Sequence, residues 1–173
     1  ADALTEDGTT IPYPPATADL HHEIELVVAL AKGGANIPEE KALECVFGYT
    51  VGLDMTRRDL QGDAKERGRP WDTGKGFDHS APIGALRAAT DVGHPTNARI
   101  SLSVNGGNRQ DGNINQMIWN VPETIAYLSG LFELQPGDII FTGTPHGVAA
   151  VEPGDRLECS IEGIATLSIT YET

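Results

Sequence analysis

The sequence predicts an α+β fold, a mostly antiparallel sheet assembly with a few flanking helices. Two observations carry this expectation. Short runs rich in Val, Ile and Thr recur along the 173 residues with the two-residue alternation of strands, whereas only three stretches read as helices. Glycine and proline are spread along the chain rather than gathered into a linker, and no repeat stands out, so one domain spanning residues 1–173 is expected.

Taken in order, residues 1–19 are rich in Pro, Thr and Asp, and Tyr13-Pro14-Pro15 forces an extended path. Residues 23–31 (EIELVVALA) read as a strand. Pro38 opens a helix over 38–47, with proline in the first turn and Glu39 and Glu40 beside it. Residues 49–55 (YTVGLDM) form the next strand, and 56–67 a polar helix stopped by Gly68 and Pro70. Residues 70–77 read as a loop. The run 99–105 (RISLSVN) alternates cleanly into Asn105-Gly106, a hairpin signal. Asn120-Val121-Pro122-Glu123 is a capping box opening a helix that ends near residue 132. Strands follow over 138–142, 156–161 and 164–171.

Charge narrows the function. Twelve basic side chains face 25 acidic ones, a net charge of −13, which excludes nucleic-acid binding through a broad basic surface and makes anionic membranes poor partners. No run of apolar residues is long enough to cross a bilayer as a helix. The acidic stretch Ala1-Asp2-Ala3-Leu4-Thr5-Glu6-Asp7 is not a signal peptide. Cys45 and Cys159 stand far apart in no metal-ligand spacing and read as core residues, which points to a reduced, cytoplasmic setting. His79, His94 and His146 are isolated and read as structural.

The chemistry concentrates in His21-His22-Glu23-Ile24-Glu25. On a strand, Glu23 and Glu25 share a face, about 6.6 Å apart by strand rise. Two buried carboxylates repel unless one keeps a proton or a cation sits between them, and an oxygen-seeking divalent metal removes that penalty. The plainer alternative is an edge strand with both acids in water. Asp54, at the end of the next strand, supplies a third oxygen ligand or else caps the helix that follows. An all-oxygen set favours Mg²⁺ or Mn²⁺ over structural zinc. His21 and His22 rank below the acids as ligands. Arg57 and Arg58 are either a solvated helix face or a grip on an anionic carboxylate. Lys75, between Gly74 and Gly76, is either a close-approach cation or a surface lysine. Thr144, in the turn Gly143-Thr144-Pro145-His146-Gly147, can donate to a substrate oxygen or simply belong to a turn.

The ordered set His22-Glu23-x-Glu25, Gly52-x-Asp54-x-x-x-Arg58-x-x-Gln61, Lys75-Gly76-Phe77 and Gly143-Thr144-Pro145-x-Gly147 resembles the fumarylacetoacetate hydrolase family over essentially the whole chain. The gaps also agree, 29 residues from Glu25 to Asp54 and 21 from Asp54 to Lys75. PYPPATADLHHEIELVVAL and DLQGDAKERGRPWD look closest to the fumarylpyruvate (acylpyruvate) hydrolase subgroup of aromatic catabolism. The resemblance implies a mixed β-sandwich roll, a homodimer, and Mg²⁺ or Mn²⁺ held by Glu23, Glu25 and Asp54. It implies a small-molecule 2-oxo acid substrate and hydrolysis of a carbon–carbon bond in a ketonic compound. Lys75 would then add positive charge where an enolate develops, Arg58 and Gln61 would orient the far end of the substrate, and Thr144 would hold its carboxylate. Oxaloacetate decarboxylation, 2-oxo acid isomerisation and a catalytically silent metal-binding fragment are the alternatives. Family members usually carry an upstream Asn-Tyr…His…Glu segment whose His and Glu form a lid and activate water. Residues 1–20 do not supply it, which bears on hydrolysis more than on metal binding.

Overall fold

The structure is a computed structural model and describes residues 3–173; Ala1 and Asp2, at the head of the acidic N-terminal stretch, lie outside the described residues. Its strands are β1 (Leu4–Glu6), β2 (Thr9–Ile11), β3 (Leu20–His22), β4 (Ile24–Leu30), β5 (Val46–Leu53), β6 (Thr56–Arg57) and β7 (Ala81–Ile83). They continue with β8 (Arg87–Ala88), β9 (Arg99–Val104), β10 (Gly107–Asn113), β11 (Ile139–Phe141), β12 (Ala149–Val151), β13 (Arg156–Ile161) and β14 (Ala165–Tyr171). The helices are α1 (Glu39–Ala42), α2 (Arg58–Glu66), α3 (Asp72–Lys75), α4 (Ala89–Val92) and α5 (Val121–Leu131).

Among the described residues the strands form three sheets. The first runs β1-β7-β5-β4-β11 with β8 also on β5, the second β10-β9-β13-β14-β2, and the third β12-β3-β6. Most pairings are antiparallel, and β1–β7 and β14–β2 are parallel, so the predicted α+β class holds with mixed sheets. Sheet packing explains the sequence patterns. Every residue of β4 is buried, which is why it reads as a continuous apolar run. β9 and β13 are half-buried and alternate, turning Ile100, Leu102, Val104, Leu157, Cys159 and Ile161 inward. These side chains meet Leu26, Tyr49, Val51 and Leu53 from the first sheet in one core. Each large apolar side chain buried there stabilises the fold by about 1.5–3 kcal/mol.

Several segments differ from expectation, among them the strand expected over 49–55, which runs Val46–Leu53. The helix expected over 38–47 is α1 followed by a single 3-10 turn, Leu43–Cys45, and Val46 and Phe47 already belong to β5. Val46 pairs with Leu30 there, so strand pairing outweighs the helical pattern. The helix expected from residue 56 begins at Arg58, because Thr56 and Arg57 pair with His21 and Leu20 of β3. The expected loop over 70–77 contains α3, one helical turn that ends at Lys75. The Asn120 capping box forms as predicted, Glu123 N–H donating to Asn120 Oδ1 at 2.9 Å and Asn120 N–H to Glu123 Oε2 at 2.7 Å.

Candidate active site

The site lies at one shared end of three neighbouring strands. β4 and β5 pair so that Ile24 faces Leu53 and Glu25 faces Gly52. One rung further, Asp54 N–H donates to the Glu23 carbonyl at 2.9 Å. Strand alternation sends Ile24, fully buried, into the core and leaves the flanking Glu23 and Glu25 on the other face. β11 runs along the far side of β4 with Phe141 opposite Val27, so Gly143, two residues on, arrives beside Glu25. Its N–H donates to Glu25 Oε2 at 2.6 Å. The three predicted acids therefore converge: a carboxylate oxygen from each of Glu23, Glu25 and Asp54 lies within 4.8 Å of the other two.

Lys75 reaches this cluster from α3. Its Nζ donates to Asp54 Oδ2 at 2.6 Å, Glu23 Oε2 at 2.7 Å and Thr56 Oγ1 at 2.7 Å. Gly74 lets α3 dock, since a Cβ there would sit 3.1–3.2 Å from the backbone and Cβ of Gln61. Arg58 opens α2 and donates from Nη2 to Glu23 Oε1 at 2.6 Å and from Nη1 to Gln61 Oε1 at 2.7 Å. Asp54 does not cap this helix; Arg57 occupies the cap position. Arg57 itself lies over the Phe77 ring, 4.2 Å from its centroid, and donates to the Thr73 carbonyl.

The charges are unevenly matched. Burial raises the Glu23 carboxyl, but the hydrogen bonds and charges of Lys75 and Arg58 more than offset it and hold Glu23 below its ordinary value. Burial dominates at Asp54 and raises it despite Lys75. At Lys75, burial is overcome by Asp54 and Glu23, and the ammonium is held more firmly than usual. Glu25 is only 4% exposed, and no basic side chain among the described residues bonds to it. Burial, reinforced by Asp54 and Glu23 and opposed by the Gly143 N–H, pushes it up to about 7. This is the electrostatic signature of a place for one more cation. The donor set is all oxygen, and its spread is close to the roughly 4.2 Å between opposite oxygens of an octahedral Mg²⁺, so the residues fit a hard divalent ion.

The two histidines that precede Glu23 stay out of the cluster. His21 bonds Asp19 through Nε2 at 2.8 Å and Arg58 Nε through Nδ1 at 3.4 Å. His22 is fully buried against Gln110, with Nδ1 2.9 Å from Oε1. Gln110 also donates from Nε2 to Thr144 Oγ1 at 2.9 Å and so fixes the predicted Thr144. Sequence reasoning missed Gln110, because β10 (GNRQDGN) has no apolar residue to mark it as a strand. Its only signal is an Asn-Gly turn that demands a return strand.

Beside the cluster, beyond Gly143 and Thr144, opens a cavity of about 550 Å³ whose apolar wall includes Leu26, Ile100, Ile114, Met117 and Pro145. The acids border it but do not line it.

The profile of the fumarylacetoacetate (FAA) hydrolase C-terminal family matches residues 1–171. A fumarylpyruvate hydrolase from Ralstonia sp. is 48% identical over 167 residues, covering 96% of this chain and 86% of the relative. A mitochondrial oxaloacetate tautomerase from Rattus norvegicus is 39% identical, covering 98% of this chain and 77% of the relative. The crystal structure of a fumarylpyruvate hydrolase from Pseudomonas aeruginosa, in complex with Mn²⁺ and pyruvate, superposes with a TM-score of 0.96 at 55% identity, covering 99% of this chain and 76% of that one. By its sequence and its fold, the chain belongs to the fumarylacetoacetate hydrolase family of enzymes.

Proposed function

We propose that residues 1–173 form a catalytic domain that hydrolyses a carbon–carbon bond of an acylpyruvate, a fumarylpyruvate-like 2,4-dioxo acid of aromatic catabolism, with Mg²⁺ or Mn²⁺ held by Glu23, Glu25 and Asp54. The observation that carries this reading is Glu25, a buried acid that no basic side chain among the described residues bonds, beside two other converging acids. The Mn²⁺–pyruvate complex of the Pseudomonas aeruginosa relative supports both the metal and the product half of the substrate. When bound, the ion supplies Lewis-acid stabilisation of negative charge on a carbonyl oxygen.

The chain's own residues do the rest. Water adds to the distal carbonyl carbon, the bond between that carbon and C3 breaks, and the products are a carboxylic acid and pyruvate enolate, which takes a proton at C3. Lys75, already bonded to Asp54 and Glu23, adds positive charge where the enolate forms. Arg58 and Gln61 form one bonded pair on α2 and orient the acyl end. Thr144 holds the pyruvate carboxylate from the loop that also supports Glu25.

A homodimer fits the exposed apolar surface at Ile118, Trp119, Tyr127 and Leu131, where Trp119 and Tyr127 stack edge to face. A reducing cytoplasmic setting fits two buried free cysteines. Among the described residues no helix is long and apolar enough to cross a membrane.

The test is turnover of fumarylpyruvate by the Mn²⁺-loaded chain. Its enol absorbance should disappear with stoichiometric release of pyruvate, and Glu25→Ala should abolish both. The oxaloacetate tautomerase relative favours a second reading at the same site. It predicts accelerated enol–keto exchange of oxaloacetate without pyruvate or CO₂. Oxaloacetate converted to pyruvate and CO₂ would mark a decarboxylase instead.

A further inference from the structure

Gln110 is the one buried residue of β10, and a bulge puts it there. Asn108 pairs with Ser103 and Gln110 with the next residue, Leu102, so Arg109 is the extra residue of an irregular ladder. The insertion turns Gln110 away from the exposed face of Asn108 and into the interior, where it is 0% exposed. Gly147 brings the opposing loop within reach: its φ is +100°, and a Cβ there would lie 2.4 Å from the Arg109 carbonyl oxygen.

All four hydrogen-bonding positions of the buried amide are used. Oε1 accepts from Ile24 N–H at 3.1 Å and faces His22 Nδ1 at 2.9 Å. Nε2 donates to Pro145 O at 2.8 Å and Thr144 Oγ1 at 2.9 Å. The orientation is forced, since a backbone N–H can only donate and a carbonyl can only accept. Ile24 is the residue between Glu23 and Glu25, and Thr144 follows the glycine whose N–H holds Glu25. One side chain thus clamps the strand that bears two acids to the loop that bears Thr144. The clamp has a direction. Because Gln110 donates to Thr144 Oγ1, the hydroxyl proton must turn elsewhere, and the hydroxyl donates to no acceptor among the described residues.

Building on the reading above, we infer that Gln110 is a positioning residue that orients the Thr144 hydroxyl as a hydrogen-bond donor to the carboxylate of the 2-oxo acid. Gln110→Glu keeps the shape but reverses the clamp: a carboxylate oxygen accepts the Thr144 proton and withdraws it from the ligand. The experiment measures pyruvate affinity of the Mn²⁺-loaded chain by calorimetry for wild type, Gln110→Glu, Thr144→Val and the double variant. Each single change should weaken pyruvate about tenfold, the scale of one hydrogen bond to a charged group. The double variant should be no weaker than Thr144→Val, because both changes remove the same contact. Mn²⁺ affinity should stay within about twofold, and the KM for an acylpyruvate should rise more than kcat falls. Gln110→Met, neutral and similar in size, carries the test if the glutamate variant does not fold; its loss, too, should vanish in the Thr144→Val background. Multiplying losses in the double variant, a parallel fall in Mn²⁺ affinity, unchanged pyruvate affinity, or a wild type that binds no pyruvate would each overturn the inference. Wild type that binds pyruvate but leaves acylpyruvates intact would sink the hydrolase reading alone.

Discussion

Asp54 and Glu23 are joined backbone to backbone, the Asp54 amide donating to the Glu23 carbonyl at 2.9 Å just beyond the ends of β5 and β4. This rung places the third acid opposite the first, and the ladder behind it, with Glu25 across from Gly52, places the second. The acidic cluster is therefore a property of strand register. A slip of one residue would carry Glu23 and Glu25 to the opposite face and Ile24 out of the core.

Gly52 is where that register is most exposed to change. A Cβ at this position would meet Val27 Cγ2 at 2.6 Å and Phe141 Cε1 at 2.8 Å. Gly52→Ala should push β5 away from its neighbours and cost roughly 1–3 kcal/mol, read as a lower urea midpoint. Mn²⁺ affinity should fall with it, since Asp54 lies two residues on. An unchanged midpoint would show that the sheet accommodates the methyl and that Gly52 does not set the site.

How much of this was legible follows from which physical signals are local. Alternation is local, so Glu23 and Glu25 on one face could be read from the sequence, as could the Asn120 capping box. Pairing is not local, and nothing in residues 49–55 says that Asp54 ends opposite Glu23. The same limit applies to Lys75, whose role depends on α3, a single turn docked on Gln61 by tertiary packing. Gln110 was illegible for a stronger reason: a buried glutamine in a strand without apolar residues is revealed only by partners distant in sequence, His22, Ile24 and Thr144. At Val46, a β-branched residue between a helical pattern and a strand pattern, the pairing with Leu30 decided the outcome.

Lys75 separates catalysis from metal binding. Its ammonium bonds two of the three acids, so Lys75→Met removes positive charge from the reacting centre while leaving every proposed ligand in place. Turnover of the preferred 2-oxo acid should fall by about a hundredfold or more, the usual scale for losing one electrostatic stabiliser. Mn²⁺ affinity should hold or increase, because the acids lose a competing cation. A loss of metal affinity equal to the loss of turnover would instead make Lys75 a structural tether.

Metal and folding should be linked. An ion that binds only the folded chain stabilises it by about 2.7 kcal/mol at a hundredfold excess over Kd. For a chain of this length that is a rise of roughly 5–10 °C in Tm. EDTA should reverse the rise in the wild type, and Glu25→Ala should show neither rise nor reversal. A Mn²⁺-saturated wild type whose Tm ignores EDTA would argue against a buried metal centre.

The metal-free chain should also carry a pH signature from Glu25. Burial, together with Asp54 and Glu23, raises its carboxyl from 4.5 to about 7. The folded chain therefore keeps this proton up to about pH 7, whereas the unfolded chain releases it near 4.5. Between those values the folded state binds more protons, so this contribution to stability is full below 4.5 and is lost as pH rises through 7. Its size is roughly 3 kcal/mol. Asp54, also raised, acts in the same direction. His22, which burial holds below its ordinary 6.5, acts in the opposite one, because the folded chain resists its protonation. Comparing Glu25→Gln with wild type isolates the carboxyl. Urea unfolding in EDTA should show that the variant gains stability over wild type as pH goes from 5 to 8. Parallel pH profiles for the two proteins would mean that Glu25 is ionised in the folded state without a metal, and that another positive group answers its charge.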